Sequence, residues 1–328
     1  MADTLVRTMA EWGQFFKDNG QPHDVIELMD QENSINDDIP WMEANAEDGH
    51  KSVIRTSLPT VYWRRLYQGV PYSKTGVSQV KDACALMEAR NNIDKKLLDL
   101  HGSQAAAYRA QEDRGFLEAF RQKCATTIFY GNSNVTPDEF NGLGMRYPLK
   151  TSPNVVDAAG AGSACTDMWG IVWGGTDVHG IFPKMSKAGL SMRVLPEQDV
   201  LDASSNPYRA VATLFEWNVG LTVRDWRSVI RICNIDTTKL SLKKGDVGFV
   251  DLHRLTIQAK NKIPTGKRNR LVWYCNQDVM TALELQASDA GNVQLMYGEL
   301  FQSKNVPFLH GRPVRQCDAI LSTQTALS

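Results

Sequence analysis

Six histidines, six cysteines and a scatter of carboxylates are the side chains through which this 328-residue chain could do chemistry. His23, His50, His101, His179, His253 and His310 never fall within five residues of one another, so HExxH and related metal motifs are absent. Cys84, Cys124, Cys165, Cys233, Cys275 and Cys317 are widely spaced, with no CxxC pair. That spacing argues against a zinc site or a secreted disulfide framework, and for reduced, mostly buried thiols. A phosphate-cradling loop needs GxxxxGK[ST]; at Gly266-Lys267 the next residue is Arg268, and Asn261 stands where the first glycine belongs. Gly160-Ala-Gly162-Ser-Ala-Cys165 is half of a dinucleotide turn and reads as a flexible loop, and Ala161 breaks a GxSxG elbow at Ser163. No catalytic residue, cofactor site or metal site is assigned. An enzyme whose catalytic groups converge from distant segments stays open as an alternative.

Charge is more informative. Residues 1–50 carry twelve acidic side chains and two basic ones, Arg7 and Lys17. Residues 51–81 carry six basic ones (Lys51, Arg55, Arg64, Arg65, Lys74 and Lys81) and no acidic ones. Such adjacent blocks could fold onto each other or pair between copies of the chain. The acidic group Asp37, Asp38, Glu43, Glu47 and Asp48 lacks the spacing of an EF-hand loop and reads as a solvated or partner-facing arm. In Tyr62-Trp-Arg-Arg-Leu-Tyr67, rings and cations interleave. That mixture suits single-stranded nucleic acid, but Trp, Tyr and Arg are also the anchors enriched at protein interfaces. A net charge of −1 and a pI near 6.6 give no wider basic field, so the interface reading is preferred over a nucleic-acid-binding protein. Trp41, Tyr62, Trp63, Arg64, Arg65 and Tyr67 are the candidate inter-subunit residues.

The elements that must carry these residues read as α+β. Hydrophobic residues make up 42% and charged residues 22%, an ordinary globular balance. No stretch is long enough for a membrane span, and MADTLVRTMAEWGQFFKDNG lacks the features of a signal peptide, so synthesis and assembly in cytoplasm are expected. Residues 4–19 predict an amphipathic helix. Residues 21–50 have little periodicity and read as an extended arm that needs something to lie on. A hairpin or long loop is expected over 51–82, with helices over 79–100 and 103–130, the second roughly 40 Å long. Beyond Pro148 strands are expected at Trp169–Trp173, Leu214–Val219 and Val223–Ile232, and residues 174–210 read as loops. The last ninety residues alternate: a helix over 247–262, a strand over 270–274, a helix over 277–287, and one or two strands between Pro307 and Ile320.

Several segments together resemble the major capsid proteins of tailed bacteriophages with the HK97-type fold, nearest to the podovirus group that includes epsilon15 and the Bordetella phages. They are Phe129-Tyr-Gly-Asn132 through Phe140-Asn-Gly-Leu-Gly144, Trp173-Gly-Gly-Thr-Asp-Val-His-Gly180, Phe215–Arg227 and Phe308-Leu-His-Gly-Arg-Pro-Val314, in this order. The resemblance covers nearly the whole chain. It implies an N-terminal arm (1–32), an extended loop (33–82), a peripheral domain (83–235) containing a spine helix (103–130), and an axial domain (236–328). A strand pair like residues 211–233 usually follows the axial unit in that family. Here it precedes that unit, so exchanged chain order within the same architecture is expected. The resemblance further implies self-assembly into hexamers and pentamers of an icosahedral shell. That shell would enclose double-stranded DNA without sequence-specific binding, in the virion, with a portal, a scaffold and a cement or decoration protein as partners.

Overall fold

The computed structural model describes residues 31–202, 204–288, 295–300 and 303–327. The described chain opens with helix α1 (Ile35–Asp38) and strands β1 (Trp41–Glu43), β2 (Gly49–Ser57) and β3 (Gly76–Asp94). Helices α2 (Lys95–His101), α3 (Ala105–Tyr130) and α4 (Leu143–Arg146) follow. Then come strands β4 (Val155–Asp157), β5 (Cys165–Val172), β6 (Val178–Phe182), β7 (Ser191–Val194), β8 (Gln198–Leu201), β9 (Pro207–Val223) and β10 (Val229–Asp236). The last part alternates: α5 (Leu252–Lys262), β11 (Leu271–Cys275), α6 (Gln277–Ser288), β12 (Leu295–Leu300), β13 (Ser303–Leu309) and β14 (Arg312–Gln316).

These strands make two sheets. The first runs β1-β6-β9-β3-β2, with β6, β7 and β8 succeeding one another along the edge of β9 that faces away from β3. The second runs β12-β13-β14-β11-β5-β10-β4. Every residue of β5 and β10 is buried, because both faces of the second sheet are covered. Met168, Val172, Ile230, Ile232 and Trp273 meet Leu252, Ala259, Val279 and Leu283 of α5 and α6 on one face. Trp169, Ile171, Cys233 and Tyr274 meet Cys124, Ile128 and Phe129 of α3 on the other. Period-2 alternation along each strand sends successive side chains to opposite cores.

Helix α3 has 26 residues, about 39 Å at about 1.5 Å per residue. Its Phe116 stacks on Phe215 of β9 with ring centroids 5.5 Å apart, fixing the helix across the first sheet. Phe215 is fully buried, which contributes about 2–3 kcal/mol. The helix stops at Gly131, where a Cβ would sit 2.4 Å from the Phe140 carbonyl oxygen. The chain then doubles back, and Gly142 N–H donates to Gly131 O at 2.8 Å. None of the described helices is long and apolar enough to cross a membrane.

Three expectations need correction. Residues 79–94 are strand, not helix: β3 runs unbroken from the hairpin into the first sheet, and only Lys95–His101 is helical. The local sequence is rich in helix formers. However, Ala85, Met87, Ala89, Asn91 and Ile93 alternate toward α3, and eleven registered partners on β9 outweigh that propensity. Residues 174–210 hold β6, β7 and β8; their Gly, Pro and Ser residues fill the turns between short strands that are defined by pairing to β9 and, for β6, also to β1. The helix expected over 247–262 starts at Leu252, where the Asp251 side chain caps it by accepting Arg254 N–H at 2.9 Å. The described part of the expected arm lies on its own subunit, with Asn33, Ile35, Ile39 and Ala44 buried. The helix expected over 4–19 falls outside the described residues.

Candidate assembly interface

Strands β2 and β3 form a long antiparallel hairpin, in register from Gly49 opposite Ala83 to Arg55 opposite Val77, with a one-residue shift before Ser57 meets Gly76. Residues 58–75 make its tip. Few bonds stitch it: Ser73 Oγ donates to Thr60 O at 3.0 Å, Gly76 N–H to Ser57 Oγ at 2.9 Å, and Gln68 N–H to Arg65 O at 3.3 Å. Trp63, Tyr67 and Tyr72 are fully exposed, Leu58, Val61 and Leu66 nearly so, and Tyr62 about half. Among the described residues, no other aromatic ring meets these rings, and no carboxylate pairs with Arg64 or Arg65. The tip therefore offers apolar area and two free guanidinium groups, the composition of an interface core and its charged rim.

Five of the six sequence candidates, Tyr62, Trp63, Arg64, Arg65 and Tyr67, converge on this tip. Trp41 sits apart in β1. Its ring lies over Gly180, where a Cβ would come within 2.4 Å of it, and its centroid is 5.8 Å from that of Trp217. The two charge blocks meet inside one chain at Lys81 and Asp48, an exposed pair at the hairpin root.

The root itself holds groups that sequence spacing did not bring together. His50 of β2 lies opposite Asp82 of β3, and His179 of β6 opposite Thr222 of β9. Buried Asp82 accepts from Thr222 Oγ1 and pairs with Arg146 of α4 at 2.8 Å. The His50 and His179 rings meet edge to face at 5.8 Å. Burial, then the neighbouring His50 and Arg224, push His179 down to about 4; burial also lowers His50. His253 and His310 form a second edge-on pair at 6.1 Å.

A second polar cluster joins the two sheets. Fully buried Asp177, just before β6, accepts from Lys267 Nζ, from Arg270 Nη2 at 2.7 Å and from Ser228 Oγ at 2.8 Å. Asp225, just after β9, also takes Lys267 and binds the Arg227 guanidinium at 3.0 Å. Burial alone would raise Asp177; hydrogen bonds from Lys267 and Ser228, with the charges of Lys267 and Arg270, outweigh it and hold the carboxyl below its usual range. A local signal existed, an aspartate in the Trp173–Gly180 turn and the Lys267-Arg-Asn-Arg270 run, but nothing in spacing links them.

Two packed sheets, a long helix crossing between them and a projecting hairpin define a capsid shell protein of HK97 type. The model of one family, major capsid protein GP7, matches residues 17–328. The whole chain is similar to a chain of the cryo-EM structure of bacteriophage Epsilon15, with a TM-score of 0.77 and 30% identity over 100% of this chain and 98% of that one. The holo-SrpI encapsulin complex of Synechococcus elongatus PCC 7942 gives a TM-score of 0.46 at 11% identity, covering 73% of this chain and 99% of that one. The capsid of Myoviridae phage XM1 gives 0.44 at 8%, covering 67% and 99%. Comparison with curated proteins gave no match. The chain belongs to the major capsid protein GP7 family. It is a structural protein of the virion capsid that self-assembles into a shell.

Proposed function

We propose that the subunits assemble into hexamers and pentamers that close an icosahedral head around double-stranded phage DNA, and that the hairpin tip is the inter-subunit contact. The observation that carries this reading is the tip: exposed Trp63, Tyr67 and Tyr72 beside Arg64 and Arg65, which have no carboxylate partner among the described residues. Such a surface is costly in a lone soluble monomer and useful once covered. The arm (1–32), extended loop (33–82), peripheral domain (83–235) and axial domain (236–328) are the working divisions of this proposal. Trp41, with Tyr62, Trp63, Arg64, Arg65 and Tyr67, belongs to its interface set. Assembly takes place in the host cytoplasm, with a scaffold, a portal and a decoration protein as partners. The chain has no catalytic role, and the DNA is held without sequence-specific contacts.

Reversing charge with Arg64→Glu and Arg65→Glu tests the reading. The variant is expected to stay soluble and folded by circular dichroism yet give no rings or shells by sedimentation velocity and negative-stain microscopy. Normal shells from this variant would overturn the assignment.

A further inference from the structure

His253 is the second residue of α5 and only 3% exposed, yet neither of its ring nitrogens makes a well-formed hydrogen bond. Buried polar groups are nearly always partnered, so an idle imidazole in a packed core calls for an explanation. Its neighbour is His310, whose ring meets it edge to face with centroids 6.1 Å apart. His310 and Gly311 form the tight turn between β13 and β14, and both have positive φ (51° and 73°), as a type I′ turn requires. This turn is seated on α5. Lys260 Nζ donates to His310 O at 3.1 Å, and His310 Nε2 lies 3.4 Å from Thr256 Oγ1. Only two registered pairs join β13 to β14, Phe308 opposite Pro313 and Leu309 opposite Arg312, and both adjoin the turn. The β12–β13 hairpin, at the edge of the second sheet, is therefore attached next to the two imidazoles.

The surroundings of the pair oppose a positive charge. His253 lies in the first turn of α5, where free backbone N–H groups repel cations. Lys260 stands beside His310. Among the described residues, Asp251 is the carboxylate that bears on the pair, and it is already engaged by Arg254 N–H at 2.9 Å. From α6 the Leu283 carbonyl approaches His253, and Arg312 of β14 is turned away onto Asn269 O at 2.7 Å. Burial is the largest influence and lowers both rings. Asp251 and the Leu283 carbonyl do not offset it at His253, nor does the His253 carbonyl at His310, where Lys260 adds to the lowering.

We propose that His253 and His310 form an acid-released latch, closed while both rings are neutral, that fastens the β13–β14 turn and the edge hairpin behind it to α5. The proposal does not depend on the role of the hairpin tip. Once the turn lifts, both rings meet water and accept protons near the ordinary value of about 6.5. The open form thus binds protons that the closed form resists. The latch is fully favoured above about pH 6.5 and loses ground as pH falls. Between pH 7.5 and 5.5 each ring that protonates only when open raises the opening equilibrium about tenfold, and two rings raise it about a hundredfold.

Hydrogen exchange by mass spectrometry tests this on the full-chain unassembled subunit, with rates corrected for the intrinsic pH dependence of amide exchange. In peptides covering residues 306–316, opening is expected to rise at least about tenfold from pH 7.5 to 5.5. In the double variant His253→Phe with His310→Asn the rise is expected to fall below about threefold. Phe fills the ring's place without titrating, and Asn-Gly is a preferred pair for this turn. Peptides covering residues 49–57, beside the other imidazole pair, are expected to respond to pH alike in parent and variant. A parent whose 306–316 opening changes by less than about threefold overturns the latch. That measurement needs no variant, so it decides even where the double variant misfolds. A folded double variant with the parent's pH response at 306–316 overturns it as well.

Discussion

Replacing Asp177 by Asn tests the idea that buried charge fastens the first sheet to the second. The substitution keeps the shape of the side chain and removes its charge. Asp177 is fully buried and takes four donors: Lys267, Arg270 at 2.7 Å, Ser228 at 2.8 Å and Thr176 Oγ1 at 3.3 Å. Hydrogen bonds to charged groups contribute about 1.5–3 kcal/mol each, and removing one partner of a buried pair costs about 3–5 kcal/mol. The Lys267 and Arg270 side chains are 24% and 50% exposed, so both can turn to water and part of that cost is relieved. Asp225 still holds Lys267. A loss of about 2–3 kcal/mol remains, measured by urea unfolding of the unassembled subunit at pH 7. The pH dependence follows from the depressed carboxyl. Its contribution is complete above the unfolded value of about 3.9 and is lost as pH falls through the lower folded value. The gap between parent and variant should therefore be constant from pH 7 to about pH 5 and close under stronger acid. A gap below about 1 kcal/mol at pH 7, or one that widens on acidification, would refute the reasoning.

Two further predictions concern buried charge elsewhere. Arg231 is buried, donates to Asp167 through Nε at 3.0 Å and lies 4.9 Å over the Trp169 ring, so Arg231→Ala should cost about 3–5 kcal/mol by the same unfolding assay. Arg231→Met, with Asp167→Asn to remove the orphaned charge, should recover most of it. His179, held down to about 4, resists the proton that an unfolded histidine accepts near 6.5. Stability should therefore fall as pH drops from about 6.5 toward 4, and His179→Gln should flatten that part of the pH profile.

Local periodicity made α3, α6, β5 and β11 legible in the sequence, because each carries its own apolar stripe or run. The tip was legible for a different reason: rings beside arginines, with no acidic residue in the flanking block, have no use in a self-contained core. β3 was not legible, since Leu86, Ile93, Leu97 and Leu100 also fit a helical stripe and only pairing with β9 decides between the two. β6, β7 and β8 have little signal of their own. The cluster of Asp177, Asp225, Lys267 and Arg270 joins positions 42 to 93 residues apart, and no local rule couples such separations. The His50–His179 pair was hidden in the same way, since it depends on strand register.

The two sides of the hairpin end differently, and this sets its mechanics. β3 continues eleven residues past the root into the first sheet, whereas β2 stops at Gly49, packed so closely that a Cβ there would lie 2.1 Å from Asp82 O. The hairpin is thus anchored unequally, β3 by its ladder to β9 and β2 by the short link from β1 and the His50–His179 contact. Within the plane of the sheet, the ladder between β2 and β3 makes it stiff. Across that plane, the β3–β9 ladder and these lighter root contacts carry the bending load, so this is the softer direction. Any bending of the tip would therefore be concentrated near residues 49 and 83, with Phe215 and α3 as the fixed wall.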